Sequence, residues 1–168
     1  MICYECSQQK LLLCYLTLGF FFAVSSAFFL FQSSAWEFEI FELDSLTNGH
    51  ALLTLSVHLL HISGVLESFP ELDLEKYYAF FRRIESGYHK DIPYHTSVHG
   101  ADVLQGMWYF MSTSLLQDVL TPLDVLAGLV AAACHDYDHN GKNNAFHVAT
   151  QSPLAILYND QSVLSVKR

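Results

Sequence analysis

From Leu11 to Phe31 the chain carries no charged residue, a run of 21 positions that as a helix would reach across a bilayer. Beyond it, apolar and polar residues mix at helical spacing. Trp36–Gly87 reads as helices, with a turn at Leu46-Thr47-Asn48-Gly49-His50. After that turn Leu52, Leu53, Leu55, Leu59 and Leu60 suit a buried face. Pro70 is expected to introduce the next helix. Its core stripe would be Leu72, Leu74, Tyr77, Tyr78, Phe80, Phe81 and Ile84, its wet side Asp73, Glu75, Lys76, Arg82 and Arg83. Further helices are expected from about Tyr94 to Met111 and from about Leu123 to Cys134, the latter opened by Pro122. A loop over Asp136–Asn140 with Gly141 ends it, and Pro153 starts a short helix through Tyr158. No sustained alternation of period two and no hairpin signal appears, so the fold class is all-α.

The apolar run divides the chain into residues 1–34 and a domain over 35–168. Three readings of the first piece stand side by side. It is a membrane anchor over Leu11–Phe31, a signal peptide with Lys10 before it and Ala23, Ser25 and Ala27 near a cleavage point, or an artefact of the gene model. Lys10 before the run and Glu37, Glu39, Glu42 and Asp44 after it would send the remainder of an anchored chain outward.

Composition narrows the function. With 168 residues the chain holds one ordinary domain, and 52% hydrophobic against 15% charged residues excludes a disordered tail. A net charge of −9 argues against a nucleic-acid partner, and against an anionic substrate unless a metal supplies positive charge locally. Cys3 and Cys6 form one C-x-x-C pair with no second pair at zinc spacing, and Cys134 sits in an apolar stretch. Neither points to a disulfide framework.

Two clusters can do chemistry. In Tyr94-His95-Thr96-Ser97-Val98-His99 the histidines stand at i and i+4, which on one helix would present both imidazoles on one face. Alone, such a pair is as readily two exposed side chains. The second, His135-Asp136-Tyr137-Asp138-His139, directly follows the apolar run Leu126–Cys134. A buried helix that ends in adjacent His and Asp favours a metal, because carboxylates avoid apolar surroundings unless paired or metal-bound. The alternative is Asp138 as a cap beside solvated histidines.

Together the clusters resemble the signature of the class I 3',5'-cyclic nucleotide phosphodiesterases, His-Asn-x-x-His followed by His-Asp-x-x-His. The resemblance extends through Trp36–Leu43, Asp91–His95, Ala101–Leu104, His135–His139, Asn144–Phe146 and Ala155–Leu164, so it covers about Trp36 to Leu164. It implies the helical, HD-type catalytic domain of that family and hydrolysis of cyclic AMP or cyclic GMP to the 5'-monophosphate. It also implies two divalent ions, zinc and magnesium (or manganese). By position His99, His135 and Asp136 resemble the ligands of the first ion, with Asp136 also reaching the second. His95 resembles the acid that protonates the leaving sugar oxygen, Tyr94 a residue lining the phosphate site, and His139 a histidine behind the ligands. The substrate partner implied is a cyclic nucleotide, and the implied location of the domain is cytoplasmic.

Three positions depart from the family pattern. Thr96 stands for the usual Asn and Asn140 for a frequent Pro. After Leu164 the family continues Glu-Asn-His-His, where this chain reads Ser165-Val166-Lys167-Arg168. The expectation is therefore a domain truncated on its C-terminal side, inactive as an isolated 168-residue chain. Its exposed apolar surface would favour self-association or a partner.

Overall fold

A computed structural model describes Leu30 and residues 32–164, and the expected apolar span Leu11–Phe31 lies outside those residues but for Leu30. Among the described residues no helix is long and apolar enough to cross a membrane, and no strand forms. The helices are α1 (Ile40–Leu46), α2 (Ala51–Ile62), α3 (Val65–Ser68), α4 (Leu74–Ser86), α5 (Ser97–Met111), α6 (Ser114–Gln117), α7 (Pro122–Cys134), α8 (Asn144–Ala149) and α9 (Pro153–Leu157).

The body is built around α2. Every residue from Ala51 to Leu60 is buried, so this helix buries its whole circumference and not the single leucine face its sequence suggests. Its neighbours explain why: α4, α5, α7 and the short α1 and α3 all pack on it. A helix buried all round must satisfy its first amide groups from within the protein. Glu85 of α4 does so, accepting a hydrogen bond from Leu53 N–H at 3.1 Å while its other oxygen meets His50 Nδ1 at 2.7 Å. Farther along α4, Tyr77 and Phe81 pack inward with their rings 4.5 Å apart. Leu74 and Phe80, expected in the same stripe, are exposed instead.

Two helix starts differ from the sequence expectation. α4 begins at Leu74 and not at Pro70, because the Asp73 side chain accepts from Glu75 and Lys76 N–H and caps it there. α5 begins at Ser97 and not at Tyr94, because Thr96 plays the same part. By contrast α7 starts where expected, at Pro122. Thr121 and Asp124 form a reciprocal capping box around that first turn. Where α5 packs on α7, the end of the Met111 side chain fills the space that a Cβ on Gly128 would take.

The chain enters through Leu30 and Ser33, both buried. Gln105 of α5 donates to the carbonyls of Ser33 and Ala35 at 2.9 and 2.8 Å, and Trp108 Nε1–H donates to Ser34 Oγ at 2.9 Å. Beneath this strap lies His58 of α2, 1% exposed and 3.3 Å from Ser33 Oγ. Burial, reinforced by nearby His61, pushes the His58 pKa down to about 4. The unfolded chain therefore binds a proton near pH 6.5 that the folded chain refuses until about pH 4. The contribution of His58 is full above pH 6.5, and about 3 kcal/mol of it is lost as pH falls to 4. His58→Gln should flatten that part of the curve, as read from urea midpoints across the range.

Candidate metal centre

The chemistry gathers where the N-terminal end of α5 meets the C-terminal end of α7. His99 sits in the first turn of α5, and His135 and Asp136 directly follow α7. Asp136 is buried. Its Oδ2 lies 3.2 Å from His135 Nε2, 3.4 Å from His99 Nε2 and 3.8 Å from His95 Nε2. The third side of the inner triangle, His135 Nε2 to His99 Nε2, is 3.2 Å.

Proton positions follow from the partners. His135 Nδ1 faces the Ala132 carbonyl at 2.7 Å, and a carbonyl only accepts, so Nδ1 carries a proton and the neutral ring would turn its Nε2 lone pair into the triangle. Burial, with His135 close by, holds the His99 pKa below its usual range despite the opposing carboxylate of Asp136. A neutral imidazole is the form that binds a metal.

The residues present fit a divalent ion. A tetrahedral zinc with bonds of about 2.0–2.1 Å has ligand atoms about 3.3 Å apart. The His99–His135–Asp136 triangle, with sides of 3.2, 3.4 and 3.2 Å, has that size and a donor set of two imidazoles and a carboxylate. A second grouping, His95, Asp136 and His139, shares the same carboxylate. In it His139 Nδ1 is occupied as acceptor from Gly141 N–H at 2.9 Å.

His95 departs from its expected place on one helical face with His99. It lies in the loop before Thr96, yet its ring centroid is 6.1 Å from that of His99. Its ring stacks on His139 at 3.7 Å, with 15° between planes. Tyr94 is largely exposed and lies against His99, centroids 4.5 Å apart. Beside the stack opens a groove of about 370 Å³ floored by Gly141, Lys142, Asn143, Asn144 and Leu164. Lys142 carried no signal in the sequence, since a single Lys in a loop has no spacing to betray it.

Residues 94–167 match the family described as 3'5'-cyclic nucleotide phosphodiesterase. Over 129 residues, 77% of the chain, it is 40% identical to the human "High affinity cAMP-specific and IBMX-insensitive 3',5'-cyclic phosphodiesterase 8A". It is also 40% identical over 132 residues to the mouse "Dual specificity calcium/calmodulin-dependent 3',5'-cyclic nucleotide phosphodiesterase 1B". The chain belongs to the cyclic nucleotide phosphodiesterase family. It spans 15% and 24% of the lengths of those two relatives. The fold agrees: the phosphodiesterase domain of a rhodopsin fusion protein from the choanoflagellate Salpingoeca rosetta superposes with a TM-score of 0.62 at 35% identity. That match covers 67% of this chain and 35% of the neighbour. Described residues and relatives together make this part of a helical phosphodiesterase catalytic domain, from a family that uses divalent metals.

Within that family pattern the substitution at Thr96 has a physical account. Thr96 is the N-cap of α5, its hydroxyl accepting from His99 N–H at 3.4 Å, and Asn is an equally good cap. Thr96→Asn should leave stability within a few tenths of a kcal/mol, while Thr96→Ala should cost about 0.5–1 kcal/mol. Denaturant titration of the two variants checks both values.

Proposed function

We propose that this chain carries the metal and acid residues of a 3',5'-cyclic nucleotide phosphodiesterase, which hydrolyses cyclic AMP, cyclic GMP or both to the 5'-monophosphate. The observation that carries the reading is the donor triangle of His99, His135 and Asp136, sized for zinc. In it these three residues hold the first ion, and Asp136 also reaches a second, magnesium or manganese. When bound, the ions supply Lewis acidity and the positive charge that a chain of net charge −9 lacks.

The residues around them bind and move protons. Opening the cyclic ester to a 5'-monophosphate leaves the 3' oxygen needing a proton. The reading gives that role to His95, supported by its position beside the triangle and its stack on His139. A stacked ring keeps its orientation while its edge remains accessible, as a proton donor requires. Tyr94 flanks the phosphate position through its contact with His99. Equal identity to a cAMP-specific and to a dual-specificity relative keeps the substrate at the level of a cyclic nucleotide. The reading assigns the reaction to the cytoplasm, and an anchor over Leu11–Phe31 would have to insert against the charge pattern that flanks it.

A second reading, in which the chain binds metal without turnover and associates with itself or a partner, rests on apolar surface. Leu115, Val119, Ile156 and Leu157 are each more than two-thirds exposed. The deciding assay is release of 5'-monophosphate from cyclic AMP and cyclic GMP by the purified chain with Zn²⁺ and Mg²⁺. Catalysis predicts turnover that falls at least about 10²-fold in His95→Ala, while that variant still binds zinc. Zinc bound with no turnover selects the second reading, and no zinc binding at all contradicts both.

A further inference from the structure

The loop that carries Tyr94 and His95 and the turn that carries Asp136 and His139 come from opposite sides of the centre. A proton donor on one and ligands on the other are useful only if something holds the two at a set distance. The segment Gly87-Tyr88-His89, between α4 and the His95 loop, meets the end of α7 and the following turn at four places. Tyr88 O–H donates to the Ala133 carbonyl at 2.9 Å, a buried bond. Where a Cβ on Gly87 would lie, the Tyr137 ring is packed, so only glycine admits this approach. The Gly87 carbonyl accepts from Asp138 N–H at 3.2 Å. Finally, His89 Nε2 meets Asp138 Oδ1 at 2.8 Å.

Asp138 is the point where these contacts bear on the chemistry. Its φ of 55° lies in the left-handed region, which a short acceptor side chain tolerates better than most. It stands two residues after Asp136 and one before His139. The rotation of its backbone therefore sets where the His139 ring lies for His95 to stack upon.

We propose that His89 and Asp138 form a clasp that fixes the proton-donor loop against the metal-binding turn, making both positioning residues for the site. The proposal rests on the metal reading given above. Both side chains are nearly half exposed, so the pair adds little to global stability. Its effect is on the geometry of the turn.

That difference gives the test. In the full chain, Co²⁺ titration followed by visible absorption should show affinity weakened about 5–10-fold in His89→Ala and Asp138→Ala, with melting temperature nearly unchanged in His89→Ala. Asp138→Asn keeps an oxygen that accepts from His89 and should bind within about twofold of the native chain. In metal-free protein, His89→Ala should speed exchange of the amides of Tyr137–Gly141 about tenfold, and Asp138→Asn should not. Native affinity and native exchange in both alanine variants would overturn the clasp. Should the unmutated chain bind no Co²⁺, the metal reading fails, and the clasp stands or falls on amide exchange alone.

Discussion

One buried carboxylate organises this protein. Asp136 lies almost out of contact with water, with the Nε2 atoms of three histidines within 3.8 Å of a single oxygen. An unpaired carboxylate in such a place costs several kcal/mol, so it must be met by hydrogen-bond donors, by protonated imidazole or by a cation. A cation is the answer that the surrounding donor set suits. Burial and the nearby His135 disfavour charge on His99, and in the neutral ring the bond from His135 Nδ1 to Ala132 turns the Nε2 lone pair inward. A bare nitrogen and a carboxylate oxygen 3.2 Å apart repel each other unless something positive lies between them.

The rest of the fold keeps that arrangement from relaxing. The triangle is supplied by the start of one helix and the end of another, and those two helices, α5 and α7, pack on each other. Both lean on α2, whose complete burial is made tolerable by Glu85 at its N-terminus. Several polar groups in this core have a defined task. Glu85 caps α2, His58 and Gln105 meet the entering strap, and Tyr88 reaches the last turn of α7.

Much of this was legible before any coordinates, for identifiable reasons. α7 announced itself because Pro122 and the Thr121–Asp124 box are local signals, and the apolar run behind them ends at a His-Asp pair. The start of α5 was misplaced by three residues because an apparent i, i+4 pair suggested a helix where Thr96 installs a cap. The start of α4 was misplaced likewise, with Asp73 capping in place of Pro70. α8 escaped notice: six residues capped by Asn143 give too little periodicity to read. In the site, the pairs His95–His99 and His135–Asp136 were visible because each is close in sequence, whereas the meeting of His99 with His135 joins segments 36 residues apart. The His95–His139 stack, the contact of His89 with Asp138 and the groove at Lys142 join residues from separate segments, and no spacing encodes them.

The central claim is that His99, His135 and Asp136 together hold one divalent ion. Zinc K-edge X-ray absorption on the zinc-loaded chain tests it most directly. The account predicts two imidazole nitrogens and at least one carboxylate oxygen at about 2.0–2.2 Å, with the imidazole signal reduced in His99→Ala. A shell containing sulfur from a cysteine, or one unchanged by that substitution, would contradict it.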